Sequence, residues 1–559
     1  MTSDKKSIPR LVEICYKSGI RDVVFSPGSR NAPLVIAFNA DGRFNLKVIP
    51  DERVAAFFAL GLSIASQQPT VLCCTSGSAA LNYAPAISEA YYQHVPLMVL
   101  TADRPSEMID QGIGQSIRQN NVFANYIKGS YQFLEEVTEE RLLIKNDETV
   151  SEAIHLSMKG DKGPVHINLP FKEPLYGLEK VDLTNLKIQE IIDVQDELNN
   201  SDELIEIWKS SQRKVLIVGL MTPNLSITKK IQQLSESENV LVLSESCSNI
   251  RNDNGINCID KTLVQFKGSE ADLSADLLIS IGGPIISKKI KKHFQKNKPK
   301  HHWCVNESYA QNTYKSLTHH IKYKLESFLD LLLEHQSNNN PDFHEVAKQK
   351  VSIVESRADS FLKNCEFSDL KVFDFILNNL PTSLHLHLSN STVVRYVQLF
   401  KQNRNWVYYS NRGVSGIDGS TSTAMGVAAG SIGQHILITG DMSFFYDSNA
   451  FWNNHVPNNF KVIVINNGEG NIFKILPHPK KDKTSLPYFT TPHKTSIKKF
   501  CDLYEVKYFV AKDETKLKSV FTDFISENDK ASVLEIDTSD AENDTILTDY
   551  FAFINQFGN

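Results

Sequence analysis

The sequence has no run of about 18 apolar residues, no apolar segment near its N-terminus and no Cys-x-x-Cys spacing. These absences argue against a membrane-spanning helix, a secretion signal and a zinc or disulfide framework. Its 8 cysteines are scattered, and only Cys73 and Cys74 are adjacent, which is typical of free thiols in a reducing compartment. A formal net charge of −6 at pH 7 argues against nucleic acid as a main partner. We therefore expect a cytoplasmic protein without a transmembrane segment.

Size and composition indicate several globular domains. The chain has 559 residues, 41% hydrophobic and 22% charged, which is too long for a single core and ordinary for a globular protein. Two polar, turn-forming stretches divide it. We expect domains at residues 1–180, 205–334 and 346–559, joined by linkers at 181–204 and 335–345.

Each block alternates apolar, strand-like runs with helical patterns, which predicts an α/β fold with mainly parallel sheets flanked by helices. Helices are predicted at 54–65, 78–92 and 420–430. The predicted strands are 22–26, 70–75, 97–101 and 165–169 in the first block, 214–219, 240–243 and 276–283 in the second, and 406–410, 435–439, 461–465 and 532–536 in the third.

Two apolar runs of the third block end in oxygen-bearing side chains. Asp441 follows one predicted strand, and Asn467 follows the next. Ligands of open α/β sheets bind at the carboxyl edge of the strands, where both side chains would emerge. A carboxylate, an amide and a backbone carbonyl suit a divalent cation that also binds a diphosphate. A buried turn Asp followed by an ordinary Asn-Asn-Gly turn is the alternative.

Several strand-to-helix turns carry further polar groups. The segment 410–419 contains three glycines together with Arg412 and Asp418, so its backbone can approach a ligand closely. The turn 26–30, Ser-Pro-Gly-Ser-Arg, is suited to holding an anion, although such turns are common. Glu52 belongs to an Asp-Glu-Arg triplet at a predicted helix start, where acidic residues are more often caps. Three His pairs, at 301–302, 319–320 and 385/387, are interpreted as surface or strand residues.

In order, the motifs at 26–30, 51–53, 75–77, 101–105, 115–119, 389–395, 410–419, 440–441 and 466–473 resemble those of thiamine-diphosphate-dependent enzymes. They are most similar to the 2-succinyl-5-enolpyruvyl-6-hydroxy-3-cyclohexene-1-carboxylate synthases of menaquinone biosynthesis. The resemblance covers nearly the whole chain and is weakest in the second block. It implies the three-domain thiamine-diphosphate-binding fold, with the pyrimidine bound by the first domain and the diphosphate by the third.

The resemblance also implies roles for individual residues around thiamine diphosphate and Mg²⁺ (or Mn²⁺). Glu52 would bond to the pyrimidine and promote its reactive form, and Ile417 would support the bend between the two rings. The metal would be held by Asp441, the amide oxygen of Asn467 and the backbone carbonyl of Glu469. Further cofactor contacts are expected from Met442, Ser443, Asn471 and Ile472.

The family's reaction, that of a transferase (carboligase), begins with decarboxylation of 2-oxoglutarate. The resulting succinyl-semialdehyde enamine then adds to isochorismate in a 1,4 sense. Both substrates are polyanions, so arginines with planar, two-pronged donors suit them. Lys289 stands where the family often has arginine, and Met442 where many relatives have glycine. The implied catalytic residues are Glu52, Ser29, Arg30, Gln115, Ser391 and Arg395, and the implied substrate-binding residues are Arg104, Arg412 and Lys289.

The resemblance further implies a homo-oligomer with active sites at a dimer interface, since one subunit supplies the pyrimidine half and another the diphosphate half. Two alternatives remain at this stage. Another carboligase, such as an acetolactate-synthase-like enzyme, would use small 2-keto acids without a set of arginines. A non-catalytic ligand sensor on the same fold would have no need of Glu52.

Overall fold

The computed structural model describes residues 1–181, 183, 186, 201–236, 240–250, 252–335, 340–403, 405–475, 482–527 and 529–556. Three parallel sheets flanked by helices confirm the predicted α/β class. Most of the expected linker 181–204 lies outside the described residues, and helix α7 (Ser201–Ser210) begins within its last four positions. Likewise 336–339 of the second linker lie outside them, and α12 (Pro341–Lys363) begins inside that linker.

The first domain contains a six-stranded sheet in the order β3-β2-β4-β5-β7-β6, and a short antiparallel pair of β1 with β8. Its helices are α1 (Ser7–Lys17), α2 (Ala32–Asp41), α3 (Glu52–Ser66), α4 (Ser78–Asn82), α5 (Ala84–Gln93) and α6 (Glu140–Met158). The strands are β1 (Thr2–Ser3), β2 (Asp22–Phe25), β3 (Asn45–Val48), β4 (Thr70–Cys74), β5 (Leu97–Asp103), β6 (Ser130–Gln132), β7 (Val165–Pro170) and β8 (Leu178–Glu179).

The central domain has a five-stranded parallel sheet in the order β10-β9-β11-β12-β13. Its strands are β9 (Lys214–Val218), β10 (Leu241–Ser244), β11 (Leu277–Ile281), β12 (His301–Val305) and β13 (His319–Ile321). Its helices, after α7, are α8 (Leu225–Glu236), α9 (Ile259–Thr262), α10 (Lys288–Lys296) and α11 (Leu325–Glu334).

The third domain has a six-stranded parallel sheet in the order β15-β14-β16-β17-β19-β18. Its strands are β14 (Leu384–Leu388), β15 (Trp406–Tyr409), β16 (His435–Gly440), β17 (Phe460–Asn466), β18 (Lys507–Ala511) and β19 (Ser532–Asp537). Its helices, after α12, are α13 (Asp369–Asn379), α14 (Thr392–Val397), α15 (Ser420–Gly430), α16 (Asp441–Tyr446), α17 (Ile472–Ile475), α18 (Leu486–Thr490), α19 (Ile497–Leu503), α20 (Glu514–Ser526) and α21 (Asn543–Ile554).

The sheets of the first and third domains repeat one strand order, which is the pattern of a duplicated module. Helix α3 follows β3 in the first domain, and α15 follows β15 at the equivalent place in the third domain. These two helices pack against each other. Glycines permit this contact, because a Cβ at Gly61 would lie 2.2 Å from the carbonyl oxygen of Thr423, and one at Gly426 would lie 2.1 Å from that of Phe58. The two domains therefore share one apolar core through these helices.

Some expectations about the elements were wrong in detail. The single helix predicted at 78–92 is two helices, α4 and α5, which meet at Tyr83; Pro85 stands in the first turn of α5, where its missing N–H costs nothing. Strands β1, β3, β6, β8, β12, β13, β14 and β18 were not predicted. The three His pairs lie in β12, β13 and β14. Among the described residues, none of the helices has the length and apolarity that crossing a membrane requires.

Candidate active site

The carboxyl edge of the third sheet brings Asp441 and Asn467 together. Strands β16 and β17 pair in register up to Gly440 and Ile465, so they end side by side. Asp441 is the first residue of α16, directly after β16, and Asn467 directly follows β17. The two oxygen-bearing side chains therefore emerge from neighbouring strand ends, where ligands of parallel sheets bind.

The Asp441 carboxylate is 2% exposed and fastens both turns at this edge. Its Oδ1 accepts a hydrogen bond from the backbone N of Met442 at 2.7 Å, and its Oδ2 accepts one from the backbone N of Gly468 at 2.8 Å. The Nε2 atom of His493 lies 3.3 Å from the same Oδ2. This negative charge is thus held in one place beside the turn that carries Asn467.

Asn467 has one satisfied and one unsatisfied polar atom. Its Nδ2 donates to Oδ2 of Asp369 at 3.1 Å, whereas its Oδ1 is buried and has no hydrogen-bond partner among the described residues. Asp369 is itself 1% exposed, accepts from Thr538 Oγ1 at 2.6 Å, and has its pKa raised by burial to about 6. A buried oxygen without a donor is rare in folded proteins, and it suits a cation ligand.

The segment after Asn467 supplies the third expected metal ligand. The Glu469 carboxylate pairs with the amino group of Lys474, and its backbone carbonyl accepts from the N of Asn471 at 2.9 Å. A carbonyl oxygen has a second lone pair, so it can still bind a cation. Asn471 is buried, and Ile472, which begins α17, is half-buried.

Ile417 and α16 are fastened to each other. The Ser443 Oγ donates to the backbone carbonyl of Ile417 at 2.8 Å, while the side chain of Ile417 is half-buried. Met442 lies between Asp441 and Ser443 and is also half-buried. The expected cofactor contacts Ile417, Met442 and Ser443 therefore belong to one connected unit beside Asp441. This arrangement and the free oxygen of Asn467 fit a divalent cation bound together with a diphosphate.

Asn390, which lies between β14 and α14, organises the glycine-rich segment. Its Nδ2 donates to the carbonyls of Asn411 at 2.7 Å and Gly416 at 2.6 Å, and its Oδ1 accepts from Nη1 of Arg412 at 2.7 Å. Sequence reasoning included this position only within the motif 389–395. Asp369 and His493 were not predicted as site residues. For Asp369 the reason is that an acidic residue directly after Ser368 is typical of an ordinary helix start.

A cationic pair lies beside this segment. Arg412 is 8% exposed, and its Nε is buried without a hydrogen-bond partner in the described part of the chain. Arg412 and Arg395 bond to the adjacent residues Asn390 and Ser391, and burial and the charge of Arg412 lower the pKa of Arg395. Arg395 donates through Nη1 to the carbonyl of Ser391, a residue with a φ of +75°. The structure thus brings together the predicted residues Ser391, Arg395 and Arg412.

A second arginine pair lies in the first domain. Arg30 is 4% exposed and donates to the carbonyl of Phe171 at 3.0 Å and to Glu173 at 3.3 Å. Burial and the charge of Arg104 lower its pKa. Arg104 donates to the carbonyl of Gly114 at 3.1 Å. Within the described ranges the Nε atoms of both arginines are buried without a partner, so each retains a donor for an anion.

Ser29 and Gln115 are both exposed at the same sheet edge. The turn of Ser29 is held to β4 by the backbone N of Arg30, which donates to Thr75 Oγ1 at 3.2 Å. Gln115 has a φ of +56°, and a Cβ at Gly77 would lie 3.1 Å from its Cα. Both side chains are therefore accessible to a ligand at this edge.

Lys289 is engaged elsewhere. Its amino group donates to the carbonyl of Asp260 at 3.2 Å and lies 3.6 Å from the centre of the Phe551 ring. Burial lowers its pKa. No hydrogen bond or ion pair joins it to Arg395 or Arg412 within the part of the chain that the structure describes.

Lys291, two residues further along α10, lies nearer to the arginines. Burial is the largest cause that lowers the pKa of Lys291. The charge of Glu245 opposes this shift, and the charges of Arg412 and Arg395 add to it. The charges of the third-domain arginine pair therefore act on Lys291, and sequence reasoning did not single it out within the run of lysines.

Glu52 belongs to the first domain, whereas the Asp441–Asn467 edge belongs to the third. It is the first residue of α3 and is half-buried. The pKa values of Cys74 and Tyr83 are raised mainly because these two residues are buried, and the charge of Glu52 adds to both shifts. Helix capping is performed by its neighbour Asp51, whose Oδ1 accepts from the N of Val54 at 3.2 Å. Between Glu52 and the Asp441–Asn467 edge, the described residues show no hydrogen bond or ion pair.

Family models match most of the chain. Residues 9–122 match the model described as "Thiamine pyrophosphate enzyme, N-terminal TPP binding domain". Residues 187–388 match "Middle domain of thiamine pyrophosphate", and 389–536 match "Thiamine pyrophosphate enzyme, C-terminal TPP binding domain". These three matches confirm the expected cofactor class and the three-domain thiamine-diphosphate-binding fold.

Curated relatives cover nearly the full length. A protein of Flavobacterium psychrophilum is 41% identical over 546 residues, covering 97% of each chain. One of Flavobacterium johnsoniae is 39% identical, also covering 97% of each, and one of Porphyromonas gingivalis is 37% identical over 99% of this chain and 98% of its own. All three are named 2-succinyl-5-enolpyruvyl-6-hydroxy-3-cyclohexene-1-carboxylate synthase. The chain therefore belongs to the 2-succinyl-5-enolpyruvyl-6-hydroxy-3-cyclohexene-1-carboxylate synthase family of thiamine-diphosphate-dependent enzymes.

Proposed function

We propose that this enzyme decarboxylates 2-oxoglutarate and adds the remaining four-carbon unit to isochorismate in a 1,4 sense, releasing CO₂. The proposal depends on two features that occur together. The edge proposed to bind the metal has a buried Asn467 oxygen with no partner among the described residues, and two arginine pairs keep Nε donors that are likewise unpartnered there. The names of the relatives support the same reaction and its place in menaquinone biosynthesis.

Asp441, the Asn467 amide oxygen and the Glu469 carbonyl would hold Mg²⁺ or Mn²⁺, and with it the diphosphate of the cofactor. Bound thiamine diphosphate supplies a carbon nucleophile that also accepts the electrons released with CO₂. Glu52 would hold a proton at the pyrimidine, and Ile417 would keep the two rings bent toward each other. Asp51 supports this assignment, because it performs the capping and leaves the carboxylate of Glu52 available.

The arginines would bind the substrates. Both 2-oxoglutarate and isochorismate carry two carboxylates at neutral pH, and a guanidinium can grip a carboxylate with two hydrogen bonds. Arg30 and Arg104 would act at the first-domain edge, and Arg395 and Arg412 at the third-domain edge. Ser29, Gln115 and Ser391 would add hydroxyl and amide contacts, and Lys289 retains its predicted contact only if its amino group leaves Asp260.

One assay tests this function. The enzyme is incubated with thiamine diphosphate, Mg²⁺, 2-oxoglutarate and isochorismate, and the product is identified by mass. We expect the 2-succinyl-5-enolpyruvyl-6-hydroxy-3-cyclohexene-1-carboxylate mass and one CO₂ per product. A parallel reaction with pyruvate alone should give little acetolactate; acetolactate at a matching rate would overturn the proposal, as would binding of both substrates without turnover.

A second copy of the chain would complete the site. Support comes from the division of the expected site residues between domains, since Glu52 begins α3 in the first domain whereas Asp441 begins α16 in the third. Further support comes from large apolar side chains exposed by about half near Glu52, namely Val48 at 50%, Tyr446 at 52% and Trp452 at 54%. Both neighbours of Glu52 already contact this region: Arg53 donates to the Tyr446 carbonyl at 2.7 Å, and the Asp51 carboxylate accepts from Asn449 Nδ2 at 2.7 Å.

Mixing two inactive variants tests this arrangement. Glu52→Gln and Asp441→Ala each damage a different half of the site, so a mixed dimer would contain one intact site. We expect activity to reappear when the two proteins are unfolded, mixed and refolded together. No recovery, despite a dimer mass by light scattering, would contradict a shared site.

We place the enzyme in the cytoplasm, in keeping with its free cysteines.

A further inference from the structure

Glu89 is a buried carboxylate in the first domain that contacts the third domain. It lies on α5 and is 2% exposed. Its oxygens accept hydrogen bonds from the backbone N of Gly413 at 2.6 Å, of Val414 at 2.6 Å and of Ser415 at 3.3 Å. Gln93, one turn further along α5, donates to it at 2.5 Å.

Three successive amides that converge on one anion form a backbone nest. The N–H groups of Gly413, Val414 and Ser415 all donate to the one carboxylate of Glu89. Burial raises the pKa of the Glu89 carboxyl, and the bonds from Gln93 and the three amides oppose this shift by stabilising the charged form. The carboxylate thus fills the nest that a bound anion would otherwise occupy.

The contact is close because residue 413 is glycine. A Cβ at Gly413 would lie 2.6 Å from the backbone oxygen of Glu89 and 3.1 Å from the Cγ of Gln93. Any larger residue would push the segment away from α5. Close approach of backbone to backbone is a physical reason for glycine at this position.

Three backbone carbonyls of segment 411–418 accept hydrogen bonds from side chains of the third domain. Asn390 binds the carbonyls of Asn411 and Gly416, and Ser443 binds the carbonyl of Ile417. Asn390 and Ser443 thus hold carbonyls from the third domain, and Glu89 holds amides from the first. Between these anchors lie Arg412 and Ile417, which the proposed function assigns to substrate and cofactor.

We propose that Glu89 is a positioning residue: by occupying the amide nest of residues 413–415, it sets where Arg412 and Ile417 stand in the active site. It touches neither substrate nor cofactor. Glu89 couples the packing of the first domain to the geometry of the third-domain site. The catalytic part of this proposal rests on the proposed function, whereas the hydrogen-bond clamp stands on the geometry alone.

The test compares Glu89→Gln with Arg412→Lys. The glutamine keeps the size of the side chain but loses the charge and presents an N–H₂ to at least one amide. Arg412→Lys identifies which substrate depends on Arg412 through the rise in its KM. We expect Glu89→Gln to raise the KM of that same substrate, and to lower kcat/KM about tenfold or more, because small displacements of a binding group are costly.

Two further measurements do not involve the reaction. Amides 413–415 should exchange hydrogen for deuterium faster in Glu89→Gln than in the wild type. The Kd for thiamine diphosphate, measured by calorimetry, should rise several-fold as Ile417 loses its position. If the wild-type enzyme forms no product, the proposed function fails, while these two measurements still decide the role of Glu89.

Asp147→Asn is the matched control, since Asp147 is another buried carboxylate of the first domain, paired with Arg10 at 2.5 Å and outside the site. It should lower the melting temperature without changing the KM, the cofactor Kd or exchange at 413–415. If Glu89→Gln does not fold, Gly413→Ala displaces the same segment and should shift the same KM. The proposal is overturned if the folded variants leave the KM values, the cofactor Kd and the exchange rates as in wild type, or if Asp147→Asn changes them equally.

Discussion

Asp369 holds the side-chain amide of Asn467 by its nitrogen, with 3.1 Å between Asn467 Nδ2 and Asp369 Oδ2. This bond decides which way the amide is turned. Because the nitrogen is bound, the oxygen Oδ1 is left buried and without a partner among the residues that the structure describes. Asp369 would thereby orient the proposed metal ligand Asn467 without binding the cation itself, which is the usual relation between a ligand and the group behind it.

We expect Asp369→Ala to weaken Mg²⁺ binding by roughly 10- to 100-fold, the usual cost of losing such a supporting group. The Asn467 amide would be free to turn its nitrogen toward the metal. Mg²⁺ titration in the presence of thiamine diphosphate measures the effect. Asp374→Asn on the same helix is the control and should bind Mg²⁺ like the wild type. An unchanged Mg²⁺ affinity in Asp369→Ala would remove Asp369 from the site.

Glu52→Gln should retain cofactor binding but lose turnover by roughly 10²-fold or more, since it removes a proton-transfer group. The cofactor Kd and the single-turnover rate separate these effects. Asp441→Ala should behave in the opposite way, with cofactor retention as its main loss. Turnover of Glu52→Gln at the wild-type rate would contradict the assignment of Glu52.

The sequence predicted most of the buried strands and missed the edge strands β3, β6, β13 and β18, together with the internal strands β12 and β14. Strands such as β4 and β17 are continuous apolar runs and were recognised. Strand β3 was missed because Asn45–Val48 lies at a sheet edge with no buried side chain, and β14 because histidines interrupt the apolar run in its Leu-His-Leu-His-Leu sequence. Burial of both faces produces the recognisable pattern, and an edge or a buried polar face does not.

The same limit applies to the site. The order of motifs along the chain predicted Asp441, Asn467 and the arginines. Groups that support them from other elements, such as Asp369 and Glu89, lie far away in sequence. Glu89 did leave a trace, because it is a charged residue on the buried face of α5, next to Ala90. Its partners on the third domain become visible only in the folded chain.

Lys289 and Lys291 of α10 should differ in function. The charges of Arg412 and Arg395 act on Lys291, whereas the amino group of Lys289 bonds to the backbone carbonyl of Asp260. Lys291→Gln should raise the KM of one substrate about tenfold by removing a charge from the polyanion site, a loss of about 1.4 kcal/mol of binding. Lys289→Gln should change KM less and lower the melting temperature instead. Initial rates over a range of each substrate measure both variants. The reverse ranking would restore Lys289 as the substrate contact.

His435 should make the protein sensitive to acid. It is 0% exposed, at the start of β16, where its Nδ1 lies 3.1 Å from Nε2 of His387 and its ring stacks on that of His385 at 4.4 Å. Burial, and then the charge of His385, lower its pKa to about 3. Hence the folded protein keeps His435 neutral at pH values where the unfolded chain is already protonated, below about 6.5.

The stability contributed by neutral His435 is therefore complete above about pH 6.5 and is lost as the pH falls toward 3. Between pH 7 and pH 5 this loss amounts to about 2 kcal/mol of the free energy of unfolding. His435→Gln cannot be protonated, so its free energy of unfolding should fall less than that of the wild type over this interval. Urea titrations at pH 8, 7 and 5 measure the difference between the two proteins. The difference in the free energy of unfolding should be constant from pH 8 to 7 and should shift in favour of the variant by pH 5. At pH 5 only the wild type has an unfolded state that is stabilised by protonation at this position. A constant difference at all three pH values would show that His435 takes up its proton in the folded protein as well.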